Sequence, residues 1–575
     1  MQVRHIKVHG FRGIRVLDWT VDGETVALIG PGDSRKTTIL DAIEYALWPR
    51  WNLALYDSDF YGGRPVSPIE IDVTVGALPA ELCKEEKFGL YLRGWKPQIG
   101  LIDEPEDSAE PVLTVRFSVT ITDLEPTWTV ITNHHPEGKP ILFRDRAKLG
   151  VARLGSELAR DLSWGRASAL SRLGDAEGIE DVLAQAYRDA RDAVTGEKLG
   201  KLVDVANRVA GYALEFGVEP ADTFKPALDA ATISLPTGAI SLHDGMVPVR
   251  ASGLGTRRLI TLGIQRALVK EGAILLIDEL EYGLEPHRIR HIVRVLQRRV
   301  CSDDGSEATP SSARGQSIFT THSPSALVEL ESDELRVVRV IEDVIDIRTP
   351  DAGLKGLIRL RPDGLLGRRL VVCEGATEVG LCWGLERYWE TLHDNTPLAC
   401  RGVVFLDGAG GSTAARMALD LADIGYQTAC FVDSDCDTNP ALDELEQDGV
   451  EVIAWAGRMN TEQRVFSDLP WHGVKQALVL AIDEEGSETS VRDSVAHYLG
   501  RQSADFSLDL DASRTAGIFE SAIRDALARA AHKNKWYKQP HKAELLARII
   551  AECLPGIPDT NLAAMLRHLE DWCYA

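Results

Sequence analysis

Apolar and polar residues alternate with period two in QVRHIKVHGF near the start and again in ETVALIG; KTTILDAIEYALW then carries apolar residues at helical spacing. Strand, glycine loop, helix is the order a phosphate-binding loop requires. IEIDVTVGAL (69–78) and VLTVRFSVTIT (112–122) alternate in the same way and predict strands of an antiparallel sheet. Between 150 and about 230 the period becomes helical, in ELARDLSWGRASALSRL, IEDVLAQAYRDARDAV and KLVDVANRVAGYALEF, and predicts a helical insertion. From 273 short apolar strands return in AILLIDE and SIFTTHS, with the helix EPHRIRHIVRVLQRRV and a polar loop (302–315) between them. Near 367 a second series begins: RRLVVCEG, TEVGLCWGLERYW, GVVFLDG, AARMALDLADIG and QTACFVDSD alternate strand with helix, as a largely parallel sheet does. The segments after it read as helices, and no internal repeat is visible.

A chain of 575 residues exceeds what one ordinary core supports, so two or more domains are expected. The first residues lack the apolar core of a signal peptide, and runs such as AILLI are too short to span a bilayer, so a cytoplasmic location is expected. Nine cysteines without a C-x-x-C pair argue against a disulfide framework and against a zinc site. The net charge of -24 disfavours general polyanion binding, so any contact with DNA must be local or helped by metal ions.

Two stretches carry candidate chemistry. In GPGDSRKTTIL, Gly30, Lys36, Thr37 and Thr38 fit a phosphate loop, but Arg35 stands where the pattern has glycine, which brings a Cβ to a place where backbone meets the ligand. Downstream, AILLIDELE delivers Asp278 and Glu279 to the end of a buried strand, suited to holding Mg²⁺ through water and to orienting attacking water. Ser252, Gly253 and Gly255 precede an amphipathic helix, and His322 follows the strand SIFTT. The ordered set resembles ATP-binding-cassette ATPases, which implies ATP held between two copies with Ser252 and Gly253 as signature residues and His322 as switch. Arg12, in GFRGI, matches an arginine that this family places near the phosphates, or is a turn residue.

In the C-terminal series Glu374 and Glu378 stand four apart at a strand-to-helix junction, and FVDSDCD ends a strand with Asp433, Asp435 and Asp437. Carboxylates so crowded repel unless cations neutralise them, and hard oxygen ligands suit Mg²⁺ or Mn²⁺. Glu374, Asp433 and Asp435 resemble the acids of the TOPRIM domain, with Glu378 and Asp437 as accessory acids. An ATP-binding-cassette ATPase followed by TOPRIM resembles the OLD family of nucleases, including Gabija A-type antiphage proteins. That resemblance implies DNA cleavage at the TOPRIM acids under nucleotide control. It also implies Glu462 as a late metal ligand, Lys535 or Lys538 as a cation for the transition state, and a homodimer or higher homo-oligomer; a UvrD-like helicase is a further partner it suggests. Gly408 to Gly411 read as a close-approach loop or as a plain turn.

The expected architecture is α/β: an ABC-type ATPase domain in two parts (1–149 and 231–362) around a helical insertion (150–230, expected to dimerise), then a TOPRIM domain with parallel sheet and helical extension (367–575). A topoisomerase, a primase and an SMC-type clamp are not expected, since the segments after the acids read as helices, no cysteine pair offers a zinc module, and 150–230 is too short and broken for a long heptad insertion. The remaining alternative is an ATP-gated DNA or nucleotide sensor that leaves cutting to a partner.

Overall fold

The alternating segments fold into an antiparallel sheet. Gln2–Phe11 pairs with Ile14–Thr20 on one side and with Ile69–Gly76 on the other, and Ile69–Gly76 pairs in turn with Glu110–Val119. Ile69, Ile71, Val73 and Val75 are all fully buried, so the period-two pattern reports a one-sided core. Three short strands, Val151–Leu154, Ile274–Ile277 and Gln316–Thr320, run parallel in that order. Ile274–Ile277 is buried along its whole length, as a strand covered on both faces must be, and it ends at Asp278.

The computed structural model describes residues 1–49, 53–104, 106, 108–154, 162, 170, 185–186, 189, 200–215, 241–270, 272–297, 315–341 and 343–575. They form two units, Met1–Thr25 with Thr37–Arg288 and Val295–Thr320, and Val26–Lys36 with Ile289–Arg294 and Thr321–Ala575. Of the expected helical insertion, Gly200–Glu215 is an α-helix, whereas Val151–Leu154 is a strand, so the insertion begins later than residue 150. Four residues are too few to display a period, and what identifies VARL as a strand is its pairing with Ile274–Ile277. Most of the other residues expected in the insertion, and the polar loop up to Arg314, lie outside the described residues.

The longest segment of the second unit runs from Thr321 to Ala575. Within it Leu335–Ile341 pairs in parallel with the strand Thr25–Ile29 and antiparallel with Val344–Arg348. A separate four-stranded sheet follows, parallel throughout, in the order Val403–Asp407, Arg369–Cys373, Gln427–Val432, Glu451–Ala454. Helices Ala376–Leu392, Gly411–Asp423 and Leu442–Gln447 connect its strands, as parallel pairing requires, and seven α-helices from Thr461 to Tyr574 extend it. Among the described residues no helix is long and apolar enough to cross a membrane.

Helix Ala376–Leu392 carries Glu378 and lies against Pro540–Cys553. A Cβ on Gly380 would stand 2.3 Å from Pro540 O, and one on Gly384 would stand 2.5 Å from both Glu544 O and Ala547 Cβ, so glycine sets how closely the two helices approach. Overpacking this seam with Gly384→Val is expected to destabilise the unit by about 1–3 kcal/mol. The measurement is a urea unfolding midpoint followed by tryptophan fluorescence. Gly356→Ala, where a Cβ meets nothing within 4 Å, serves as the control that stays at or above wild type.

Candidate functional site

Three of the four strands of the parallel sheet in the second unit run into acids. After Arg369–Cys373, Glu374 N donates to Phe431 O at 2.8 Å, and Asp433 N donates to Glu374 Oε2 at 2.8 Å. The backbone of one acid thereby fixes the side chain of the other. Glu378 occupies the first turn of Ala376–Leu392, where its Oε2 accepts from Gly375 N at 3.0 Å in a capping arrangement. Its other oxygen lies 2.8 Å from Thr461 Oγ1, and Asp433 Oδ1 lies 2.8 Å from the same hydroxyl.

Thr461 also receives a hydrogen bond from Trp455 Nε1 at 2.8 Å. A hydroxyl has one proton to give, so it can donate to only one of the two carboxylates; the other oxygen must bring a proton of its own. Glu378 and Asp433 are therefore linked through Thr461 with a shared acidic proton. Burial, then the charge of Asp433, raises the Glu378 carboxyl well above its usual range; burial, then Glu374, does the same for Asp433.

These groups open on a cavity of about 360 Å³ lined by five carboxylates, Glu374, Glu378, Asp407, Asp433 and Glu462, and by two lysines, Lys535 and Lys538. Glu462 is 2% exposed; its Oε2 is 3.2 Å from His532 Nδ1, and its Oε1 is buried without a hydrogen-bond partner. Asp435 is close enough to raise Asp433 further but does not line the cavity. Asp437 faces solvent and pairs with Arg458 at 3.2 Å. Among the described residues no three His, Cys, Asp or Glu side chains are already drawn into a ligand shell. The donors are nevertheless all oxygens, one of them orphaned and two held together through one hydroxyl, a set that fits a hard divalent cation such as Mg²⁺ or Mn²⁺.

Sequence reasoning missed Asp407, Thr461 and His532. Asp407 is in register with Cys373 on the neighbouring strand, so it ends its strand level with the residue before Glu374. Gly408, next to it, is obligatory for packing: a Cβ there would lie 2.3 Å from Ala414 Cβ and 2.8 Å from Cys373 O. Lys535 takes a left-handed φ of 59° after helix Glu520–Asn534, a turn that sends Trp536 and Tyr537 into the core and leaves Lys535 and Lys538 at the cavity.

The nucleotide candidates occupy two places. In the first unit, Asp278 Oδ1 accepts from Thr37 Oγ1 at 3.1 Å and from Thr320 Oγ1 at 2.8 Å, while Arg153 reaches Asp278 Oδ2 at 3.2 Å and Asp41 at 3.1 Å. Arg153 was not legible from the sequence. Arg12 is committed to Asp59 at 2.9 Å, Asp41 at 2.5 Å and Tyr45 at 2.8 Å. Glu279 is exposed with a positive φ of 46°, its N–H donating to Thr320 Oγ1 at 2.8 Å. Thr38 is partly buried, one residue beyond Thr37. Ser252 and exposed Gly253 immediately precede helix Leu254–Lys270, and Gly255 is held tight because a Cβ would meet Gly283 O at 2.8 Å.

In the second unit the loop from Gly30 closes on its own lysine: Lys36 Nζ donates to Gly30 O at 3.1 Å, Pro31 O at 2.8 Å and Ser34 Oγ at 3.0 Å. Arg35 and Asp33 both adopt left-handed backbone, φ 69° and 62°. Arg35 thus keeps the conformation that glycine would take freely, and does so at a steric cost. His322 is exposed, two residues past the end of Gln316–Thr320.

Residues 218–329 match a family profile described as "AAA domain, putative AbiEii toxin, Type IV TA system". An OLD nuclease of Thermus scotoductus is 23% identical over 517 residues, covering 85% of this chain and 84% of its own. The resemblance to the OLD family spans most of the chain. Among solved structures, a Pyrococcus furiosus SMC head with an extended coiled coil, bound to the C-terminal domain of ScpA, covers 62% of this chain and 99% of its own at 13% identity and a TM-score of 0.33. A RecF–ATP structure covers 60% and 97% at 12% identity and a TM-score of 0.33. At such scores the fold assignment of this OLD-like chain rests on the strand orders given above.

Two outcomes are expected. Because the fold keeps a proton on the Glu378–Asp433 pair that the unfolded chain gives up near pH 4.5, its stabilising effect is complete below that range and is lost as pH rises. In EDTA, the melting temperature of the wild type should therefore fall from about pH 5 to about pH 8 more steeply than that of Glu378→Gln, whose amide needs no proton. Separately, Arg35→Gly should relieve about 1 kcal/mol of backbone strain and tighten binding of a fluorescent ATP analogue several-fold, whereas Arg35→Ala, which keeps the Cβ, should not.

Proposed function

We propose that this protein is a metal-dependent DNA endonuclease of the OLD type whose cutting is regulated by ATP, acting in antiphage defence as a homo-oligomer. The observation that carries this reading is the cavity at the strand ends, where five carboxylates face two lysines. Glu374, Glu378, Asp433 and Glu462 would hold Mg²⁺ or Mn²⁺, with Asp435 beside them. When bound, such an ion supplies Lewis-acid polarisation of a phosphate and a water acidic enough to attack it.

The chain's own residues do the remaining work. Lys535 and Lys538 bring positive charge to the cavity and favour a phosphodiester there over the bare acids, which alone would repel DNA. Asp433 N holds Glu374 and Thr461 holds Glu378 and Asp433, so the acids are oriented before substrate arrives. ATP control is assigned to the loop closed on Lys36 and to the Thr37–Asp278–Arg153 group. A helicase partner of the UvrD kind belongs to the same reading.

The test is nicking of supercoiled plasmid by the full chain with Mg²⁺ or Mn²⁺, at zero and at millimolar ATP. Cutting is expected to require the metal, to vanish in Glu374→Ala, and to lose its response to ATP in Lys36→Ala. A protein that binds DNA and nucleotide but cuts under none of these conditions would instead be a sensor.

A further inference from the structure

We infer that His532 is a positioning residue of the acidic cavity: it tethers one oxygen of Glu462 so that the other points at the bound cation. This rests on the metal-site reading above and adds to it a residue outside the carboxylate set. Glu462 is 2% exposed and sits in the first turn of helix Thr461–Asp468, so its carboxylate cannot turn out to water. Its Oε2 lies 3.2 Å from His532 Nδ1. A carboxylate in its ionised form can only accept, so in this pair Nδ1 is the donor. Oε1 has no hydrogen-bond partner although it is buried, a condition that costs free energy unless something outside the protein completes it. The residue lines the same cavity as Glu374, Glu378 and Asp433, and a cation there would complete it.

His532 also bears on the cationic side of the cavity. It stands in the last turn of Glu520–Asn534, and its carbonyl accepts from Lys535 N at 3.3 Å, within the left-handed turn that presents Lys535. A single imidazole thus ties the late carboxylate to the helix end that carries the lysine. Partners of this kind fix ligand orientation, and their loss typically costs ten- to a hundredfold in metal affinity.

The experiment is Mn²⁺ binding to the full-length protein, read by electron paramagnetic resonance, alongside plasmid nicking against Mn²⁺ concentration. His532→Ala is expected to weaken Mn²⁺ binding by about tenfold or more and to shift the metal dependence of nicking equally, with the rate at saturating Mn²⁺ little changed. His532→Asn, whose amide can donate from the Nδ1 position, should recover most of the affinity; His532→Gln, whose amide lies further out, should not. Unchanged Mn²⁺ binding in His532→Ala, with weakened binding in Glu462→Gln, would overturn the positioning role and leave the metal site standing. Unchanged binding in both Glu462→Gln and Glu374→Ala would overturn the metal site itself. Should His532→Ala fail to fold, the Asn and Gln variants decide: equal affinity in the two overturns the inference, and recovery only in Asn supports it.

Discussion

Mutual repulsion among carboxylates is the constraint around which the C-terminal half of this protein is organised. Five acids border one cavity, and two of them, Glu378 and Asp433, sit against a single hydroxyl. Such a cluster survives in a fold only if each charge is answered locally. Backbone amides answer Glu374 and one oxygen of Glu378, Thr461 and a retained proton answer Glu378 and Asp433, and an imidazole answers Glu462. The parallel sheet places these groups by ending its strands at one edge, and the helical extension supplies Thr461, His532 and the lysines that no strand could bring.

The nucleotide side shows the opposite balance. Asp278 is answered by Arg153, Thr37 and Thr320, while the loop before Thr37 folds its lysine back onto its own carbonyls. Asp33 and Arg35, in the loop that precedes Thr37, both hold left-handed backbone, so that loop carries steric strain of its own.

Much of this was legible in the sequence where a pattern is local. Period-two alternation marked Gln2–Phe11, Ile69–Gly76 and Glu110–Val119 because one face of each is buried. Glu374 and Asp433 were visible because an acid at the end of an apolar run contrasts with what precedes it. Asp407 escaped because a lone acid before glycine looks like any turn, and Arg153 because VARL is too short to declare itself a strand. Thr461 and His532 could not have been found by spacing: Thr461 lies 83 and 28 residues from its two carboxylates and His532 lies 70 from its own, and only the tertiary fold joins them.

The hydroxyl of Thr461 has one more consequence. With Trp455 on its lone pair and two carboxylate oxygens competing for its single hydrogen, the cluster stores an exchangeable proton in the place where a cation would sit. On the proposed metal reading, uptake of a cation there would expel that proton, and the cavity would act as an ion exchanger. The heat of such loading would then depend on the ionisation enthalpy of the surrounding buffer.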